Sequence, residues 1–116
     1  MISLVTGGAG FIGSNLVTEL VKLKHKVIVL DNLSTGKLTN LKQIKKKIKF
    51  INVDISKNQK SINKYFKKVD WVFHLAGLAD IVPSITNPNN YFEANVKGTL
   101  NVLEAAKKNN VKKFIY

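Results

Sequence analysis

Met1-Ile-Ser-Leu-Val-Thr-Gly-Gly-Ala-Gly-Phe-Ile-Gly-Ser-Asn15 opens the chain. A short apolar run, Ile2 to Val5, stops at Thr6, a glycine cluster follows, and an apolar-periodic segment begins at once. That order predicts a strand, a tight turn and a helix, with glycines at 7, 8, 10 and 13. Glycines let the backbone turn sharply and approach a ligand closely, and the free N–H groups at a helix start favour an anion such as a pyrophosphate. From Gly8 the spacing is G-x-G-x-x-G, and from Gly7 it is G-x-x-G-x-x-G. Alone, either match is weak. Asp31 strengthens it, because it follows a second apolar run, Val27 to Leu30, about twenty residues beyond the glycines. A carboxylate at the tip of a second strand can accept hydrogen bonds from an adenosine ribose. The alternative is a glycine turn that only packs a helix tightly on a strand.

With 116 residues the chain makes one domain at most. No apolar run approaches a membrane span, and glycine interrupts the first residues too soon for a secretory signal. Cysteine is absent, which excludes a disulfide frame and thiolate chemistry; with two distant histidines, no metal site is expected. A cytoplasmic protein is the expectation. The net charge is +12 and all 19 cations are lysine. Such a balance can mark a nucleic-acid or membrane surface. Here the lysines are scattered over 22–26, 42–49, 57–68 and 107–113, mostly on polar helix faces, and arginine, suited to bidentate phosphate and base contacts, is missing. A solvated surface is the better reading, with neither nucleic acid nor membrane as partner, although Lys45-Lys46-Lys47 could attract polyanions at low salt.

Strand and helix signals alternate to the last residue. Phe11, Ile12, Leu16, Leu20 and Leu23 recur at helical spacing, so a helix is predicted over Phe11 to Lys24. Val27 to Leu30 reads as a strand buried on both faces, and Asn32 to Gly36 as a loop. A short helix from about Leu38 to Lys46 then leads to a strand over Lys49 to Val53, ended by Asp54. A helix at 58–68, with Ile62, Tyr65 and Phe66 inward, precedes a fourth strand, Trp71 to Leu75. A loop holding Pro83 and Pro88 comes before a long helix from about Asn89 to Asn109, and Val111 to Tyr116 begins a fifth strand. This alternation predicts an α/β fold, a doubly wound parallel sheet of Rossmann type with helices on both faces. An apolar strand that stops abruptly at Tyr116 suggests a fragment, truncated in the fifth strand.

In an open parallel sheet, ligands sit at the carboxyl ends of the strands. Strand one ends in the glycine turn, strand two in Asp31-Asn32, strand three in Asp54-Ile55 and strand four in His74-Leu-Ala-Gly77, where small residues let the backbone pass close to a flat cofactor. Each has a plainer reading. Asp54 could be the N-cap of the next helix, His74 could fix local structure, and His25 reads as structural. Trp71 and the aromatics at 50, 66, 73 and 114 read as core.

Thr6-Gly-Gly-Ala-Gly-Phe-Ile-Gly-Ser-Asn15, Asp31-Asn-Leu-Ser-Thr-Gly36, Asp54-Ile55, His74-Leu-Ala-Gly77 and Asn95-Val-Lys-Gly-Thr-Leu-Asn-Val-Leu-Glu-Ala-Ala106 resemble the extended short-chain dehydrogenases, specifically the NAD-dependent sugar-nucleotide epimerase/dehydratase family. The resemblance runs from residue 2 to residue 116. Asp31 to Gly36 followed by Asn40-Leu41, and Ile81-Val-Pro-Ser84 before Asn87-Pro88, are most similar to the UDP-glucose and UDP-N-acetylglucosamine 4-epimerases. It implies NAD as cofactor, a nucleotide sugar as substrate and a homodimer for the full-length protein. Gly7, Gly10 and Gly13 would form the turn, and Phe11 and Ile12 would offer N–H groups to the pyrophosphate. Asp31 and Asn32 would hold the adenosine ribose, with Ser34, Thr35 and Gly36 closing over it. Asp54 and Ile55 would border the adenine, and Leu75, Ala76 and Gly77 would run along the nicotinamide. Asn95 would support the active-site end by hydrogen bonding, and Ser84 would approach the sugar nucleotide.

The family's chemistry also needs a Ser or Thr after the fifth strand and a Tyr-x-x-x-Lys pair, whose tyrosine is general base. Tyr65 is followed four residues on by Val69, Tyr91 by Asn95, and Tyr116 is terminal, so no catalytic residue lies within the chain and the substrate-binding part is absent. The expectation is the amino-terminal part of an NAD-dependent 4-epimerase, inactive by itself. A 4,6-dehydratase or decarboxylase of the same family is one alternative, and a noncatalytic dinucleotide-binding module is another.

Overall fold

A computed structural model describes residues 1–57 and 59–116. Five parallel strands, β1 (Ile2–Thr6), β2 (Lys26–Asp31), β3 (Ile48–Asn52), β4 (Trp71–His74) and β5 (Lys113–Ile115), form one sheet in the order β3-β2-β1-β4-β5. The chain lays down β1, β2 and β3 toward one edge, then crosses over β1 to start the other half at β4. β1 and β4 stay in register through Thr6 opposite His74, and the connections that leave their carboxyl ends go to opposite halves of the sheet. This is the topological switch point at which open α/β sheets bind ligands.

Alternation along the strands supplies a core on each face. Val5, Val27 and Val29 pack with Ala9, Val17 and Leu20 of the segment leading into and along α1 (Phe11–Lys22), and with Leu41 and Ile44. Leu4, Leu30 and Val72 point the other way, onto Ile62 and Phe66 after β3 and onto Val102, Ala105 and Ala106 of α5 (Gly98–Lys108). The doubly wound arrangement is therefore the one the alternation predicts. α1 ends two residues before the sequence reading places its end. Lys24, at φ 62°, takes the left-handed position while the N–H groups of Lys24 and His25 donate to the carbonyls of Val21 and Leu20, a Schellman closure.

Four segments differ from the sequence reading. The helix expected over 38–46 is two 3₁₀ turns, Leu38–Leu41 and Lys45–Lys47. Long-range ties override its helical pattern, because the Lys37 N–H and the Asn40 amide both donate to the Ala9 carbonyl, at 3.0 and 2.8 Å. Of the helix expected at 58–68, α2 covers Gln59–Asn63 and a tighter 3₁₀ turn covers Lys64–Phe66, while Asn58 lies outside the described residues. Residues 81–86, expected as loop, form the helix α3 (Ile81–Thr86). Pro83 sits in its first turn, where a missing N–H costs nothing. The long helix consists of α4 (Pro88–Tyr91), a π-helical segment (Phe92–Lys97) and α5.

Of the aromatics expected in the core, only Phe66 is fully buried; Phe50, Trp71, Phe73 and Phe114 are half-buried. Phe50 and Phe114 lie on the edge strands β3 and β5. Trp71 and Phe73 lie on the opposite face of β4 from the Val72 core. His25 is structural, as expected, with Nδ1 2.8 Å from the buried Ser3 hydroxyl and its ring edge-on to Trp71.

Candidate functional site

The glycine turn has two kinds of glycine. Gly7 has φ +68°, and a Cβ there would stand 2.7 Å from the Ala76 nitrogen. A Cβ on Gly13 would stand 2.1 Å from the Gly7 carbonyl oxygen and 2.7 Å from Gly8 Cα. Both positions are closed by the protein's own backbone. Gly10 differs, since a Cβ there would meet only the Gly7 carbonyl oxygen, at 3.3 Å, and the residue borders a cavity of about 410 Å³. The fold asks for glycine far less here than at Gly7 or Gly13, since one carbonyl would have to give by only a few tenths of an ångström, and a ligand approaching closely through the cavity would ask for it more. Gly10 is the N-cap of α1, no side chain caps the helix, and Ser14 is the residue whose N–H donates to the Gly10 carbonyl. The N–H groups of the first turn, which begins with Phe11, Ile12 and Gly13, therefore lack intrahelical acceptors, and these three residues line the cavity. The first turn holds no acidic residue, so the helix end is suited to an anion.

At the tip of β2, Asp31 is buried and braces the turn. Its Oδ2 accepts from the Ala9 N–H at 2.9 Å and its Oδ1 from the Leu33 N–H at 2.8 Å. Each oxygen keeps a further lone pair, and the residue lines the cavity. Asn32 Oδ1 accepts from the Ser34 N–H. Gly36 packs so tightly that a Cβ would fall 2.9 Å from the Ala9 carbonyl carbon, which holds Ser34, Thr35 and Gly36 beside the glycine turn. Asp54 caps a turn rather than a helix, accepting from both the N–H and the hydroxyl of Ser56. Burial alone would raise its pKa, but Ser56, Asn32 and the Lys57 ammonium outweigh that and hold it below its ordinary value. Asp54 and Ile55 form the far wall of the same cavity.

β4 delivers His74, 2 % exposed, between two hydroxyls: Thr6 Oγ1 lies 2.6 Å from Nδ1 and Thr99 Oγ1 2.8 Å from Nε2. Leu75, Ala76 and Gly77 continue along the cavity wall. Asn95, in the π-helical segment, lines a neighbouring cavity of about 330 Å³ and clamps the loop, accepting from the Leu78 N–H at 2.8 Å and donating to the Leu78 carbonyl at 2.9 Å. His74 thus fixes local structure. Burial lowers its pKa from 6.5 to about 4.

That shift predicts a pH dependence. Above pH 6.5 the ring is neutral whether folded or not; as pH falls toward 4, only the unfolded chain takes up the proton, and stability is lost. The loss reaches about 3 kcal/mol across the window. Urea midpoints measured from pH 7.5 down to 4.5 should fall in the wild type and fall less in a His74→Gln variant. Equal slopes would remove His74 as the cause.

All the cofactor residues expected from the sequence except Asn95 line the larger cavity; Asn95 acts through Leu78. Ser84 is not among the lining residues of either cavity: it lies in α3 with its hydroxyl donating to the Ile81 carbonyl. The sequence reading missed Leu30, Val53, Leu78, Ala79 and Ala94 in the wall, and Thr6 and Thr99 on either side of His74. Leu78 and Ala79 directly follow Gly77, and Thr99 stands one helical turn after Asn95, but neither pattern carries a chemical signature.

A parallel sheet in this order, with a glycine turn, a strand-end carboxylate and an uncapped helix converging on one cleft, defines a dinucleotide-binding α/β protein. The NAD dependent epimerase/dehydratase family matches residues 3–116, and the chain belongs to it. The UDP-glucose 4-epimerase of Haemophilus influenzae is 38 % identical over the whole of this chain, which spans 36 % of that protein. The crystal structure of Thermus thermophilus UDP-glucose 4-epimerase in complex with NAD superposes with a TM-score of 0.90 at 39 % identity, covering 100 % of this chain and 37 % of that one. UDP-glucose 4-epimerase of Thermotoga maritima with UDP-glucose gives 0.91 at 39 % identity, covering 98 % and 36 %. The chain thus spans about a third of the length of these relatives. Among the described residues no helix is long and apolar enough to cross a membrane.

Proposed function

We propose that this chain is the NAD-binding amino-terminal part of a sugar-nucleotide 4-epimerase acting on UDP-glucose or UDP-N-acetylglucosamine. The observation that carries the proposal is Gly10, a glycine whose Cβ would meet one carbonyl oxygen and otherwise face open space, set where an uncapped helix start opens into the cleft. In this reading the N–H groups of Phe11 and Ile12 bind the pyrophosphate. Asp31 and Asn32 accept from the adenosine ribose under the Ser34-Thr35-Gly36 loop, and Asp54 and Ile55 border the adenine. Leu75, Ala76 and Gly77 form the nicotinamide wall, with Asn95 fixing it through Leu78. The chemistry that NAD supplies when bound is reversible hydride abstraction at C4 of the hexose, so that return to the opposite face inverts that centre. The general base and its lysine partner belong to sequence beyond Tyr116, a reading supported by the third of its relatives that this chain spans. A homodimer of the full-length protein accords with the exposed apolar residues Phe92, Val96, Leu100 and Leu103 along the long helix.

The full-length protein should purify with NAD or bind it, elute at twice its chain mass, and interconvert UDP-glucose with UDP-galactose or the corresponding N-acetyl sugars. A product that has lost water would make it a dehydratase. Cofactor binding without turnover of any nucleotide sugar would leave a binding module.

A further inference from the structure

We propose that Thr99 is a positioning residue that fixes, through His74 and Thr6, the loop wall along which the cofactor lies; this rests on the NAD reading above. The loop after β4 directs its N–H groups inward. Leu75 and Ala76 each donate to Thr6 Oγ1 at 3.2 Å, and Leu75 also reaches the Thr6 carbonyl. The Ala76 N–H therefore depends on the Thr6 hydroxyl oxygen. A hydroxyl has two acceptor lone pairs and one proton. With both lone pairs taken by Leu75 and Ala76, the proton of Thr6 must go to His74 Nδ1, 2.6 Å away. Nδ1 can accept it only if the ring is neutral with its own proton on Nε2. That Nε2–H donates to Thr99 Oγ1 at 2.8 Å, and the Thr99 hydroxyl donates onward to the Asn95 carbonyl at 2.6 Å.

The hydroxyl and ring protons of this series each have one place to go, and the series closes on the loop, because Asn95 holds Leu78 at both its N–H and its carbonyl. Without the Thr99 hydroxyl the Nε2–H loses its acceptor within the protein, and with it the contact that favours this form of the ring over the Nδ1–H form. In the Nδ1–H form Thr6 must accept from His74, so Oγ1 can keep only one of its two loop donors. Leu75, which has the Thr6 carbonyl to fall back on, is the one released, and the loop wall beside Ala76 loses a tie. The same Ala76 nitrogen borders Gly7 of the glycine turn, where a Cβ would fall 2.7 Å away. A shift at Thr99 is thus carried to both sides of the cofactor cleft, although Thr99 itself lines only the neighbouring cavity.

The test uses the full-length protein, with NAD as the probe. Thr99→Val keeps the side-chain shape and removes the hydroxyl; it should weaken NAD binding at least about tenfold while the protein stays folded by circular dichroism. Thr99→Ser should restore affinity to within about threefold of wild type. Nitrogen-15 NMR of the histidine ring should show the neutral Nε2–H form of His74 in the wild type and the Nδ1–H form in the valine variant. A folded valine variant with wild-type affinity, a serine variant as weak as the valine one, or an Nδ1–H ring in the wild type would each overturn the proposal. A valine variant that does not fold leaves the wild-type tautomer to decide, Nε2–H for and Nδ1–H against. A wild-type protein with no affinity for NAD would instead remove the cofactor reading itself.

Discussion

Gly10→Val in the full-length protein should cost at least about a hundredfold in NAD affinity, or some 2.7 kcal/mol, with a much smaller loss of stability than Gly13→Val. Gly10 has φ −73° and ψ 178°, extended backbone open to any residue, and its Cβ would meet one carbonyl oxygen at 3.3 Å. The two γ-methyls of valine would project into the cleft at the helix start, where the proposed pyrophosphate site lies. Gly13→Val should behave in the opposite way. Its Cβ would stand 2.1 Å from the Gly7 carbonyl oxygen and 2.7 Å from Gly8 Cα, so the first turn of α1 must leave the glycine turn for the side chain to fit. Overpacking against backbone has no flexible side chain to absorb it, and a loss beyond about 4 kcal/mol is expected, with NAD binding lost as a consequence. Thermal unfolding of each variant beside calorimetric titration with NAD separates the two effects. Undiminished NAD affinity in a folded Gly10→Val variant would make the turn a packing device only.

Cofactor choice should turn on Asp31. The wild-type protein should prefer NAD to NADP, because a 2′-phosphate would meet the Asp31 carboxylate and the chain has no arginine to receive it. Asp31→Ala should weaken NAD more than about tenfold and narrow the gap between the two cofactors. The structure adds a stability effect, since removing the carboxylate leaves the N–H groups of Ala9 and Leu33 without their acceptor. Loss of hydrogen bonds to a charged group at a buried position costs about 2–3 kcal/mol. Asp31→Asn, which keeps one acceptor oxygen, should lose less stability than the alanine variant while losing the repulsion toward NADP. Titrations of wild type and both variants with NAD and NADP check this. Tighter NADP binding by the wild type would overturn the assignment.

The features legible in the sequence are those governed by near neighbours. Ile2 to Thr6 followed by Gly7, Gly10 and Gly13 can form little besides a strand, a tight turn and a helix, because the constraint is local sterics. Strands alternating with helices dictate a parallel sheet, so the groups that follow each strand must gather at one edge. Asp31, Asp54 and Leu75 to Gly77 accordingly line a single cleft. Where local pattern competed with distant ties, the pattern lost. Residues 38–46 read as a helix, yet the Ala9 carbonyl holds Lys37 and Asn40 in place and leaves only 3₁₀ turns.

By itself, then, the sequence determined the class of sheet, the glycine turn and the strand-end residues that line one cleft, because period and spacing act within a few residues. Only the tertiary structure decided which glycine faces the cleft and which is closed in by the fold. Gly10 and Gly13 are the same residue type three positions apart, and what separates them is the backbone that each one faces. It also decided the partners of His74. Thr6 lies 68 residues away and Thr99 lies 25 residues away. They meet because β1 pairs with β4 and the long helix crosses beside them, and strand order is set by packing of the whole sheet, which no local pattern encodes.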